Sequence, residues 1–429
     1  MRILVVGINY APDLIGVPKY TTELCEALVS FGHDVRVVTA PPYYPAWRIP
    51  EAYRSWFYRT ETINGVVVTR SPIYVPRKPS GARRLIHHAS FALTSLWPVV
   101  SGALRWRPDV VFSVAPSLMS ASLSARIARQ VGALSWLHLQ DFEVDAAFDL
   151  GLLGNRRLRA PMIAVEQRIL KSFDCVSTIS PQMIDRLVSK GVDREKIHEI
   201  RNWTDTNQIT PGDRLTHFRQ KLNLDASHFV ALYSGTMSNK QGLELIIEAA
   251  RSVELTDPKL RFVICGDGPH KAILQELAAG LTNVAFLELQ TGDRFAALLN
   301  MADVHLIPQK AEAADLVLPS KLGSIFATGR PVIVMAKPGT GLSDEVEGAG
   351  LIIPPGDPVA LAAAMRKLAG NSELCDTLGR NARAMALSRW DKTAILDKLQ
   401  LALTTSSELK TSAQLTPNEG LVRTHRHPS

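Results

Sequence analysis

The sequence predicts an α/β protein built from two similar units, each a parallel sheet with helices on both faces. Three observations carry that expectation. A strand, turn, helix rhythm runs through the first half and begins again at "HFVALYSG". The 429 residues and 47.0 kDa exceed what a single core usually holds. Between the two rhythms lies a polar stretch, 204–226, broken by Pro211 and Gly212.

Taken in order, "RILVVGINY" reads directly as a buried strand and lacks the basic, apolar, small-residue layout of a secretion signal. A helix follows around Tyr20 to Phe31, and then the strand "DVRVVTA". Further strands are expected at "VVVTRSP", "DVVFSVAP", "LSWLHLQD" and "CVSTIS", each short, β-branched and bounded by Gly, Pro or Asp. The apolar stretch from Leu85 to Leu104 is interrupted by His87, His88 and Pro98 and follows "RKPSGARR". It reads as a buried helix or as an interfacial one, since basic residues beside an apolar face suit an anionic leaflet. The second unit repeats the pattern at "LRFVICGDGP", "NVAFLEL", "DVHLIPQK" and "RPVIVMA". The predicted boundaries are a first domain at 1–203, a linker at 204–226, a second domain at 227–385, a terminal helix at 386–403 and a disordered tail at 404–429, where apolar periodicity fades.

Composition narrows the partners. A 46% hydrophobic content can build both cores, and a formal charge of +7 with a pI near 9.2 favours an acidic partner. Nucleotide phosphates and an anionic membrane face both qualify; nucleic acid has only the pI behind it, with no recognised module in support. Cys25, Cys175, Cys265 and Cys375 are scattered without a CxxC pair, which argues against a disulfide framework or a structural zinc and fits a reducing cytosol.

In such sheets ligands gather at the carboxyl ends of the strands. At the first turn, Gly7 and Gly16 are too far apart for a dinucleotide fingerprint, which weakens a nicotinamide enzyme. Gly16 is a substrate contact or simply a turn. "LHLQDFEVD" puts His138 and Asp141 at a strand end, where a hydrogen-bonding pair could hold a sugar hydroxyl or position a leaving group; a core histidine is the alternative. Glu143 and Asp145 form only a weak metal pattern. "YSGTMSNKQGLE" brings Lys240 and Gly242 ahead of a helix, and Gly266 and Gly268 follow another strand, where a tight turn would also explain them. Pro319, Ser320 and Lys321 open an amphipathic segment, and a hydroxyl and an ammonium at a helix start make a seat for phosphate.

In sequence order these stretches resemble the GT-B glycosyltransferases of the retaining family 4 type. The likeness runs from "GINYAPDLIG" through "STISPQMIDRLVSKGVDREKIHEIRNWTD", "YSGTMSNKQGLELIIEAA" and "FVICGDGP" to "LPSKLGSIFATGRPVIV". "TAPPYYPAW", "YVPRKPS", "LHLQDFEVDA" and "VLPSKL" resemble the branch that makes exopolysaccharides of the colanic acid kind, with fucosyltransferases nearest. The resemblance implies two facing Rossmann-like domains and a final helix crossing back onto the first. It places the nucleotide sugar on the C-terminal domain, with Gly235, Thr236, Lys240, Gly266, Asp315, Pro319, Ser320, Lys321 and Ser324 as candidate contacts, and the acceptor on the N-terminal one, near Gly16 and Tyr20.

Two positions depart from the family pattern. Ser324 stands where many members carry a ribose-gripping glutamate, and Thr236 where many carry an arginine, with Lys240 displaced from the usual lysine. Lys321 and Ser320 are therefore the expected replacements at the diphosphate, with Asp315 or Glu312 for the acidic sugar contact. The reading that results is a cytoplasmic, membrane-associated, metal-independent retaining transferase. His138, Asp141 and Lys321 are its catalytic candidates, a GDP-sugar its favoured donor and a lipid-linked saccharide its acceptor, with no cofactor. A nucleotide-sugar epimerase of the same architecture and a catalytically silent binding subunit are the alternatives.

Overall fold

A computed structural model describes residues 1–13, 16–44, 46–78, 80–145, 159–290, 292–310 and 318–415. The chain divides into two compact units: Met1–Ile200 with the segment from Leu396 onward, and Arg201–Ile395. Both are Rossmann-like α/β units.

In the first unit the strands are β1 (Arg2–Gly7), β2 (Asp34–Thr39), β3 (Arg59–Ile63), β4 (Val66–Arg70), β5 (Val110–Val114), β6 (Leu134–Leu139), β7 (Cys175–Thr178) and β8 (Ile197–Glu199). Among the described residues they form one sheet in the order β3-β4-β2-β1-β5-β6-β7-β8. Every neighbouring pair is parallel except β3 with β4. β5 and β6 are buried along their whole length, as a strand covered on both faces requires. The chain leaves β1 for β2 on one side and later β5 on the other. The switch point between β1 and β5 therefore opens at the carboxyl ends of those two strands. β3 had no apolar alternation to betray it: it is a largely polar edge strand, joined to β4 through Asn64 and Gly65, both at positive φ.

Three helices of this unit matter below: α1 (Val17–Ser30), α2 (Gly81–Trp106) and α3 (Leu118–Val131). α2 contains the whole Leu85–Leu104 stretch and buries His87, Phe91, Ser95, Val99, Ala103 and Trp106.

The second unit has β9 (Phe229–Ser234), β10 (Leu260–Cys265), β11 (Val284–Leu287), β12 (Val304–Ile307), β13 (Val332–Met335) and β14 (Gly350–Ile353). Their spatial order is β11-β10-β9-β12-β13-β14, all parallel, which is the strand order of a dinucleotide-type Rossmann sheet. Its switch point lies between β9 and β12.

Two predicted boundaries change. The 204–226 stretch is no free linker. Ile209, Phe218 and Leu224 join the second unit's core. The buried Arg219 side chain donates to the carbonyls of Met301, Asp225 and His228 and pairs with Asp303 at 2.5 Å. Its polar composition hid this, because an arginine that satisfies so many carbonyls reads as solvated in sequence. Nor does a disordered tail start at Thr404, for one helix spans Lys392–Leu415; residues 416–429 lie outside the described residues. Leu399 and Leu403 are buried, the Gln400 side chain meets His33 at 2.7 Å, and Lys410 pairs with Asp174 at 2.6 Å within the first unit. Tertiary contacts hold a helix whose own periodicity has faded.

Candidate active site

β9 delivers Gly235 to the second unit's switch point, and β10, its neighbour on the other side, delivers Gly266 alongside. The two loops lie backbone against backbone: the Gly235 N–H donates to the Cys265 carbonyl at 3.0 Å and the Met237 N–H to that of Asp267 at 2.8 Å. A Cβ on Gly266 would stand 1.9 Å from the Gly235 oxygen, and one on Gly268 2.3 Å from the Met237 oxygen. Only glycine permits this approach. Gly266 therefore shapes the floor of the site through its neighbour.

Lys321 enters the same place from the segment after β12. Its ammonium lies 4.0 Å from the centre of the Tyr233 ring, and a Cβ on Gly235 would come within 3.2 Å of it. The Tyr233 hydroxyl donates to the Thr236 carbonyl at 2.8 Å, which fixes the ring under the lysine. The side chain as a whole is half-buried, but the ammonium end sits inside, and burial pushes the amine down to about 7. Among the described residues no carboxylate pairs with it. His305 on β12 is fully buried, and burial followed by the charges of Arg330 and Lys321 lowers it to about 3, so it stays neutral. An ammonium that costs free energy to keep dry, beside a glycine loop at a switch point, is primed for an anion.

The helix that Lys321 opens, Lys321–Ala327, has only seven residues, and Ser320 accepts no capping bond because its backbone is already helical. The helix-start argument for phosphate thus loses weight, and the ammonium carries it instead. Ser320 is exposed and Pro319 half-buried. Ser324, one turn on, places its hydroxyl 3.3 Å from that of Thr204. Thr236 is exposed, and Lys240 falls in the short turn Asn239–Gln241. Asp315 and Glu312 lie outside the described residues. Tyr233 went unnoticed in sequence; its only signal was an aromatic residue one position before the end of a strand that runs into a glycine loop.

In the first unit, Gly16 has φ +74 and nothing within 4 Å of an added Cβ, so its backbone conformation, with no crowding, asks for glycine. Tyr20 turns inward on α1 and is buried, which leaves it little surface for an acceptor. His138 does not pair with Asp141. Its ring is buried between strands, Nδ1 lies 2.9 Å from the Ser177 hydroxyl and Nε2 3.1 Å from the Gln140 amide, and burial lowers it to about 4. His138 lies within a strand covered on both faces, so its ring finds its hydrogen-bond partners inside the sheet. Asp141, past the carboxyl end of β6, is exposed. Glu143 caps the start of α3, accepting from the Ser117 and Leu118 N–H groups at 2.5 and 3.2 Å. Burial raises it to about 7, with the Glu166 and Asp141 charges adding to the effect. Asp145 pairs with Lys190 at 2.8 Å and Arg186 at 3.0 Å. Each acid of the weak metal pattern is thus taken by the protein, and among the described residues no group of three metal-ligating side chains gathers.

Comparison with known proteins gives this architecture a family. Residues 16–203 match the glycosyl transferase 4-like domain and 228–371 the glycosyl transferases group 1 domain. A colanic acid biosynthesis glycosyl transferase of Escherichia coli (strain K12), WcaI, is 41% identical over 378 residues, covering 86% of this chain and 92% of its own. The chain belongs to this glycosyltransferase family. Among solved structures, a sucrose-phosphate synthase from Thermosynechococcus elongatus superposes with a TM-score of 0.70 at 20% identity, over 96% of this chain and 99% of its own. WaaG, a glycosyltransferase involved in lipopolysaccharide biosynthesis, does so with 0.63 at 18%, over 94% and 99%. At that identity they speak for the GT-B fold. Within this glycosyltransferase, the Lys321 and Gly235 pairing is the charged feature that the two switch-point loops assemble.

Proposed function

We propose that this glycosyltransferase acts in exopolysaccharide assembly, moving a sugar with retention from a nucleotide donor to a hydroxyl on a lipid-linked saccharide. A GDP-sugar, with L-fucose foremost, is the favoured donor. The second unit binds the nucleotide sugar and the first binds the acceptor. The observation that supports the reading is the buried ammonium of Lys321, which no carboxylate among the described residues pairs with, on the Tyr233 ring beside Gly235. As the sugar C1–O bond to the diphosphate breaks, negative charge grows on the leaving nucleotide, and a preorganised cation stabilises it. The departing phosphate oxygen takes the proton of the acceptor hydroxyl while that hydroxyl oxygen bonds to C1 on the same face, so configuration is kept. Asp141 serves the acceptor side, while Ser320, Thr236 and Ser324 serve the donor side.

A lipid-linked acceptor places the work at the cytoplasmic leaflet as a peripheral protein; no helix among the described residues is long and apolar enough to cross a membrane. Thermal-shift measurements with GDP, UDP and dTDP, then with the matching nucleotide sugars, select the donor by mass action. Transfer to a lipid-linked saccharide is then followed by mass spectrometry, and NMR of the product reads the anomeric configuration. Activity persists after exhaustive chelation. A modified nucleotide sugar formed without acceptor identifies an epimerase, and tight nucleotide binding without turnover across many acceptors identifies a silent subunit.

A further inference from the structure

On α2 the residues Ile86, Leu93, Trp97 and Leu104 follow one another at intervals of 7, 4 and 7. At about 100° per residue these intervals bring all four within about 40° of one line, a stripe about 27 Å long. The stripe faces away from the sheet: Leu93 is 73% exposed and Trp97 61%, while Phe91, Ser95, Val99 and Ala103 on the opposite side are buried. The helix is therefore apolar on both sides, and its own unit covers only one of them.

Beside the stripe stands a second apolar feature. In the loop before β3, Trp56 is 90% exposed and Phe57 80% exposed. The next residue, Tyr58, donates its hydroxyl to the Thr94 carbonyl of α2 at 2.8 Å, which ties the loop to the helix flank. Charge completes the surface. From Ser71 to Pro108 the chain holds no Asp or Glu but carries Arg77, Lys78, Arg83, Arg84, Arg105 and Arg107. Arg77, Lys78 and Arg83 lie at the start of the stripe, Arg105 and Arg107 at its end, and all five are exposed.

We propose that this face seats the first unit on an anionic bilayer. α2 lies flat in the interface, and Trp56 and Phe57 act as an aromatic wedge that enters the headgroup region beside it. Cations at both ends of an apolar line meet headgroup phosphates while the line between them meets acyl chains, and this arrangement favours a lipid surface over a folded partner. The inference rests on the membrane-borne acceptor proposed above, and it adds the surface and the residues that set its depth.

Cosedimentation of the full chain with vesicles tests it, comparing phosphatidylglycerol-rich vesicles with pure phosphatidylcholine. Wild type binds the anionic vesicles, and binding weakens but persists as salt rises, because the apolar part is unscreened. Trp56→Ser with Phe57→Ser lowers the partition about tenfold or more, as does Leu93→Asn with Trp97→Asn. All four positions are exposed, so folding survives, and an unchanged thermal shift with nucleotide verifies it. Equal binding by wild type and both variants, or none by wild type, overturns the proposal. So does a wild-type dimer in sedimentation velocity that both variants dissociate, since a second copy then covers the face. Sugar transfer without vesicle binding overturns this surface and leaves the transferase reading intact; vesicle binding without transfer does the reverse.

Discussion

Replacing Lys321 with methionine pulls stability and donor binding in opposite directions. An amine held near 7 instead of 10.5 costs about 5 kcal/mol in its charged form. The Tyr233 face on which the ammonium rests lies 4.0 Å away. The ligand-free protein carries that net cost of about 5 kcal/mol at pH 6. Between pH 7 and 10.5 the unfolded chain holds the proton and the native one does not. Wild-type stability therefore rises with pH across that window, and below it the cost is complete. Methionine fills a similar volume and packs on an aromatic ring without the charge. Lys321→Met without ligand should accordingly melt above wild type at pH 6, with the gap narrowing toward pH 9. Nucleotide-sugar binding should meanwhile lose a charge-assisted hydrogen bond of about 1.5–3 kcal/mol, roughly tenfold to more than a hundredfold in Kd. Thermal melts at the two pH values and calorimetry with the donor read both effects. A variant that melts below wild type at pH 6, or that binds donor within about twofold of wild type, refutes the assignment of Lys321 as the diphosphate anchor.

The same amine predicts a pH profile. A nucleotide sugar has no diphosphate proton to lose near neutrality and binds the ammonium form, so its affinity falls as pH rises through about 7, by up to about tenfold per unit, and Lys321→Met flattens the curve. Gly266→Ala drives a Cβ to 1.9 Å from the Gly235 oxygen and should unfold the second unit or cost it about 4 kcal/mol, whereas Gly16→Ala, with open space around it, costs about 1–2 kcal/mol in chemical denaturation. His138→Gln should lose about 1–3 kcal/mol of stability but keep kcat per folded molecule, since its ring bonds inside the first unit. Asp141→Asn should keep the fold and lower kcat about tenfold or more, and steady-state kinetics on refolding-checked protein reverses the two assignments if His138→Gln is the inactive one.

Much of this molecule was legible before any coordinates. Short β-branched runs between Gly, Pro and Asp punctuation located eleven of the fourteen strands among the described residues, because a parallel strand buried on both faces must be apolar throughout. β3, β8 and β14 escaped, being a polar edge strand and two pieces of only three and four residues at the ends of their sheets. Lys321 was also visible, as a cation after a proline in "PSKL", but for a reason that did not survive: a seven-residue helix offers a weak dipole and Ser320 no cap.

What tertiary structure alone decided is what each side chain meets from distant parts of the chain. The ring of Tyr233 and the bare Cα of Gly235 come to Lys321 from β9, more than eighty residues earlier in sequence, and burial in the fold lowers the proton affinity of its amine. Ser177 on β7 gives the buried ring of His138 a hydrogen-bond partner that sequence did not reveal. Met301 and Asp303 turn a polar linker into part of the second unit's core by satisfying Arg219. The Thr94 carbonyl brings an aromatic loop to the outer flank of α2. Local sequence sets propensity and pattern, and these depend on near neighbours. Burial, desolvation and hydrogen-bond satisfaction depend on neighbours that only the folded chain supplies.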